Sequence, residues 1–149
     1  MKGSASIEML AILIVAIYLA AIVYKEVVAA GFQFAEDEYK VAMAKLAADK
    51  IANTAHFLKV SAPGTTKKIE ITLPEGVALS CNNNENNSYL QIYVKTNRTY
   101  EACNKTSTCE GNVYLGLECR VNWKITGPVK STIAMVKIGG NQIEIGEPP

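Results

Sequence analysis

Four cysteines, three Asn-x-Ser/Thr triplets and one glutamate set in an apolar run are the residues of this 149-residue chain whose types and spacing point to chemistry. Cys81, Cys103, Cys109 and Cys119 are separated by 21, 5 and 9 residues, which does not match the paired Cys-x-x-Cys ligands of structural zinc sites. An even set confined to one half of the chain reads as two disulfides if that half is exported, and as buried thiols if it is not. The triplets Asn86-Asn87-Ser88, Asn97-Arg98-Thr99 and Asn104-Lys105-Thr106 are N-glycosylation acceptors, so Asn86, Asn97 and Asn104 would carry N-linked glycans on an exported surface. A polar loop without glycan is the competing reading. No nucleophile elbow, phosphate loop, dinucleotide fingerprint or metal-spaced histidine pair occurs, and the lone His56 suits a packed or solvent-edge residue better than a catalyst. The chain therefore reads as no enzyme and needs no cofactor or metal beyond those glycans.

What must position these residues begins with the glutamate. From Ile7 to Tyr24 the sequence IEMLAILIVAIYLAAIVY is apolar on every face except at Glu8, and Lys25 and Glu26 follow at once. At ~1.5 Å rise per residue the run covers roughly the ~30 Å of a bilayer core. A helix apolar all round needs lipid or the interior of an assembly around it. Beyond it, Val28, Phe32, Ala35, Tyr39, Ala42, Leu46, Ile51, Ala55 and Leu58 recur at three- and four-residue steps, with Glu36, Asp37, Lys40, Lys45, Asp49 and Lys50 between them. The helix is thus expected to leave the membrane, lay one face on a soluble domain, and end near Lys59 before Pro63-Gly64. Gly31 marks either a bend near the membrane boundary or a tolerated helical glycine. A secretory signal cleaved after Val28-Ala29-Ala30 is disfavoured: the positive region is almost absent, an acid opens the apolar run, and the helical pattern continues past the cut. Tyr18, Tyr24, Phe32, Phe34 and Tyr39 read as packing aromatics rather than a conducting stack.

The stretch Lys2-Gly3-Ser4-Ala5-Ser6-Ile7-Glu8 directly before this helix resembles the class III signal peptides of archaeal type IV pilins. Those carry a short basic leader ending in glycine, then glutamine, any residue, serine, any residue and glutamate. Gly3 matches the last leader residue, Ser6 the serine and Glu8 the glutamate, while Ser4 stands where glutamine is usual. The resemblance covers about ten residues, and its weight comes from its place before a spanning helix. It implies cleavage between Gly3 and Ser4 by a prepilin peptidase, and a role for Glu8 in assembly through pairing with the new α-amino group of a neighbouring subunit. A carboxylate in a membrane helix is costly and calls for such a reason. The competing reading has Glu8 merely complementing the helix dipole, worth up to about 1 kcal/mol.

Beyond Pro63 the period of the pattern changes to two. Ile69, Ile71 and Leu73 alternate with polar residues before the turn Pro74-Glu75-Gly76, then Val77, Leu79 and Cys81 do the same. Leu90, Ile92 and Val94 form another strand, and a long one is expected from Val113 to Ile125. Strands about Ile133–Ile138 and through Ile143 and Ile145 flank Gly139-Gly140-Asn141, which suggests a closing hairpin. Strands with one apolar and one polar face belong to an antiparallel sheet or sandwich, here packed on the long helix. Cys81 and Cys119 fall on the apolar faces of their strands, and Cys103 and Cys109 bracket the polar stretch 104–108. That parity favours Cys81 with Cys119 and Cys103 with Cys109 among the three pairings possible. The tract Asn82–Asn87 reads as a surface loop.

The expected organisation is an α+β chain: leader 1–3, polymerising helix 4–60 and β-rich head 62–149. With 15 basic and 14 acidic residues, a net charge of +1 gives no reason to expect nucleic acid as a partner. The resemblance implies a homopolymer built through the N-terminal helices, an assembly ATPase with its membrane platform, passage through the cell membrane, and a final place in an extracellular filament. The alternative is a membrane-tethered surface protein or minor pilin-like binding protein that shares the leader without forming the filament body.

Overall fold

Backbone geometry follows the change of period along the chain. The computed structural model describes residues 4–84, 87–100, 103, 106–120 and 122–146. Helix α1 (Ser4–Val23) passes through one π-helical turn (Tyr24–Val28) into α2 (Ala29–Val60). The irregularity thus falls where Lys25 and Glu26 interrupt the apolar run, and Gly31, read as either a bend or a tolerated helical glycine, sits in regular α-helix, as the second reading has it. Glycine weakens a helix through backbone entropy without removing a hydrogen bond, so it need not break one. The chain divides between Glu36 and Asp37 into two compact units.

The described residues of the first unit are all helical. Among the described residues the second contains α2 from Asp37 onward and eight strands: β1 (Thr66–Leu73), β2 (Val77–Asn84), β3 (Asn87–Tyr100), β4 (Thr106–Tyr114), β5 (Glu118–Cys119), β6 (Trp123–Thr126), β7 (Val129–Gly139) and β8 (Gln142–Gly146). They form two four-stranded sheets, ordered β1-β7-β8-β5 and β4-β3-β2-β6. All pairings are antiparallel except β5 with β8. The class is α+β, a long helix packed against antiparallel and mixed sheets.

One core joins the three layers. Ile71, Leu73, Ile133, Met135 and Ile143 from the first sheet and Val77, Leu79, Leu90 and Val94 from the second meet Ala44, Ala47, Ala48, Ile51, Ala55 and Leu58 of α2. The helix face in this core is mostly alanine, which lets its backbone approach the strands closely. Its register differs from the expected stripe: Ile51, Ala55 and Leu58 are buried, whereas Val28 is only half-buried and Phe32, Ala35, Tyr39, Ala42 and Leu46 are exposed. Large apolar side chains had marked one face, but the small ones on the opposite side fit the sheets.

The end of α2 is held by a lysine. Lys137 lies on the inward parity of β7 beside Met135 and is only 7% exposed. Its Nζ donates to the Lys59 and Ser61 carbonyls, each at 2.7 Å, so a cation meets the negative end of the helix dipole and satisfies carbonyls the helix leaves open. On the exposed face of the same sheet Glu70 pairs with Lys130 at 2.9 Å. That hydrogen bond, then the charge of Lys130, hold the Glu70 carboxyl below its usual range.

Two further expectations are corrected. The single strand expected over Val113–Ile125 is instead the end of β4, then β5, then β6. Gly116 has φ +69°, a left-handed conformation that turns the chain, while Leu115, Leu117 and Cys119 stay buried on either side of it. The tract Asn82–Asn87 is ladder rather than loop through Asn84, which pairs with Asn87, and β4 likewise begins inside the stretch 104–108.

Candidate functional site

An apolar side chain costs about 1.5–3 kcal/mol when exposed to water instead of buried. Along α1, Ile7 is 73% exposed, Leu10 62%, Ile14 58% and Ile17 60%, and the most apolar window of the helix, with mean hydropathy 2.5, is wholly unburied by its own chain. Summed from Ile7 to Val23, that cost outweighs the about 5–15 kcal/mol by which a domain is ordinarily stable. The helix is long and apolar enough to cross a membrane, and it needs cover that its own chain does not supply. Ser4 and Glu8 both lie in helix α1, and Glu8 is exposed. Gly3, the other side of the expected cleavage bond, lies outside the described residues.

Tyr39, Leu46 and Phe57 are 55%, 50% and 53% exposed on the side of α2 opposite its alanine face. The helix in the head unit therefore has two apolar sides, one covered by sheets and one open.

The cysteines form the disulfides Cys81–Cys119 and Cys103–Cys109. The first joins β2 to β5, hence one sheet to the other, with a Cα separation of 6.4 Å and both residues buried. The second closes the link between β3 and β4, at a Cα separation of 4.7 Å. Among the sequon asparagines, Asn97 is exposed on β3. Asn86 and Asn104 lie outside the described residues.

Asp37 is the residue the sequence reading misplaced most. It was expected on the solvent side of the helix and is 1% exposed. Its Oδ1 accepts the Asn97 backbone N–H at 2.8 Å and its Oδ2 accepts the Tyr100 hydroxyl at 3.1 Å, tying the far end of β3 to the helix. With Val41, Tyr100 and the Cys103–Cys109 bridge it lines a largely apolar cavity of about 460 Å³. The signal was present: stepping back by seven from Leu58 through Ile51 and Ala44 lands on Asp37. Asp37→Ala is expected to cost about 2 kcal/mol in chemical denaturation, from two lost hydrogen bonds and a part-buried Asn97 amide left without its acceptor. Asp49→Ala, at an exposed carboxylate on the same helix, should stay within ~0.5 kcal/mol. Equal losses for the two variants would refute the anchoring role.

No family model, curated protein or solved structure matches the chain.

Proposed function

We propose that the chain is a structural subunit of an archaeal type IV pilus, an extracellular adhesion filament. The observation that carries this reading is the uncovered apolar helix with one carboxylate, Glu8, at the head of its apolar run. A prepilin peptidase removes Met1 to Gly3, and the subunit waits in the membrane through the run from Ile7 to Tyr24. An assembly ATPase and its membrane platform then move it into the filament, where copies of the same helix replace lipid. Contact among these helices gains from dispersion and close packing where they leave lipid, and from apolar burial at ~25 cal/mol per Å² where the open side of α2 leaves water. The freed amine of Ser4 pairs with Glu8 of a neighbouring subunit and sets the axial step.

Two measurements test the proposal together. Sequencing of the mature protein is expected to start at Ser4; a chain that starts after Ala30 would show an ordinary secretory signal. Glu8→Ala removes one member of a buried charge pair, a loss of about 3–5 kcal/mol per subunit contact, and should abolish surface filaments while the subunit still accumulates in the membrane. Normal filaments from that variant would remove the role given to Glu8. A mature start at Ser4 with no filament of this protein on wild-type cells would favour the membrane-tethered binding protein instead.

A further inference from the structure

The sheet β4-β3-β2-β6 turns Val77, Leu79 and Cys81 inward, so the alternating residues Ala78 and Ser80 face the other way. On that outer face lies an open cavity of about 450 Å³, lined by Ala78, Ser80, Tyr93, Asn122, Trp123 and Lys124. Strand register explains its shape. Tyr93 of β3 sits beside Ala78, and Lys124 of β6 beside Ser80. Two small side chains on β2 therefore make a floor between a taller tyrosine and a taller lysine. With strands ~4.8 Å apart, the walls stand roughly 10 Å from each other, the width of one six-membered ring with its substituents.

Among the described residues, the polar side chains around this floor have no partner. Ser80 is 7% exposed, yet its hydroxyl has no hydrogen-bond partner among the described residues and opens onto the cavity. Among the described residues Asn122 and Lys124 likewise make no side-chain hydrogen bond or ion pair, and no carboxylate lines the cavity to neutralise the lysine. A purely apolar ligand would leave these donors and acceptors unsatisfied. A bare inorganic anion would engage Lys124 and ignore the aromatic wall. A polyol ring with a carboxylate uses every group: its C–H face against Tyr93, its hydroxyls on Ser80 and Asn122, its acid on the Lys124 ammonium.

We propose that this cavity is a binding subsite for a sugar ring bearing an acidic group, stacked on Tyr93 and fixed by Ser80, Asn122 and Lys124. The site belongs to the head alone, and the filament reading adds only where it would be displayed.

Trp123 borders the cavity but pairs with Cys81 on the inward parity and packs against the core, so occupancy is read from the amide resonances of Ser80, Tyr93 and Lys124 rather than from its emission. The full chain is held in zwitterionic alkyl-phosphocholine micelles, since sugar-headed detergents would compete, and titrated with a galacturonate disaccharide, the matching neutral galactose disaccharide and acetate. Expected is a saturable shift of these amide resonances with galacturonate at a Kd of ~1 mM, with weaker binding of the neutral sugar and none of acetate. Lys124→Gln, a change on an exposed side chain of an edge strand, should weaken galacturonate about tenfold and leave the neutral sugar unchanged. Tyr93→Ser should weaken both sugars, with unchanged circular dichroism as the check on folding. The proposal is overturned by no saturable response to either sugar, by acetate competing as well as galacturonate, or by Lys124→Gln leaving galacturonate affinity intact. Because the titration uses dispersed subunits, any of these results leaves the filament proposal untouched, and loss of filaments in the Glu8→Ala strain leaves this one untouched.

Discussion

Replacing Cys81 and Cys119 together by alanine is expected to lower the stability of the head by about 4 kcal/mol, against about 2 kcal/mol for removing Cys103 and Cys109 together. The difference follows from what each bridge closes. Cys81 and Cys119 are 38 residues apart, while Cys103 and Cys109 are 6 apart, so the first removes more freedom from the unfolded chain. Native packing adds in the same direction. Cys81 and Cys119 are 0% and 1% exposed inside the core, so truncation also leaves a small void between the sheets. The link is also structurally singular: β5 is only two residues long and otherwise holds to β8 through a short parallel pairing, with the Glu118 and Arg120 amides donating to Asn141 and Ile143. Denaturant unfolding of the full chain in micelles, followed by Trp123 emission, measures both losses. A smaller loss for the Cys81–Cys119 pair than for the Cys103–Cys109 pair would contradict this account. Against an ordinary stability of about 5–15 kcal/mol, the larger loss leaves a head with little margin outside the cell.

Features set by neighbours in sequence could be read from it, and features set by distant partners could not. The apolar helix depends only on the composition of consecutive residues, so the span from Ile7 to Tyr24 stood out directly. Ile69, Ile71 and Leu73 announced β1 for the same reason, and the inward parity of Cys81 and Cys119 survived even where the strand itself broke. That break was hidden because Leu115, Leu117 and Cys119 keep alternating across Gly116, whose positive φ appears only in three dimensions. The helix face was misread because the pattern was weighted by large side chains. The sheets accept alanines, and this put Asp37 inside and Tyr39 and Leu46 outside. Lys137 shows the same limit: an inward charge in a strand looks like an error until the helix end it caps is placed beside it. The outer-face cavity was beyond reach, since it needs the register of β2 against β6, some forty residues on in the chain, as well as against its neighbour β3.

Gly127→Ala is expected to be the most damaging single methyl that can be added to the head, at about 3 kcal/mol or more. Gly127 joins β6 of one sheet to β7 of the other, and its N–H donates to the Val77 carbonyl at 2.8 Å. The turn from β1 to β2, through Pro74 and Gly76, makes the opposite crossing beside it. The two backbones touch there: a Cβ on Gly127 would lie 2.8 Å from the Leu73 carbonyl oxygen and closer still to that of Pro74. Both obstacles are backbone, so no side-chain rotation relieves the clash. Either crossing could move only by disturbing the pairs on both sides of it, Leu73 with Val129 in the first sheet and Ala78 with Thr126 in the second. A Cβ on Gly139, in β7, meets no atom within 4 Å, so Gly139→Ala should change stability by no more than ~0.5 kcal/mol. The pair separates crowding from the general effect of replacing a strand glycine. If the two variants unfold at the same denaturant concentration, the crossings are not pressed together, and the junction between the sheets is looser than these contacts require.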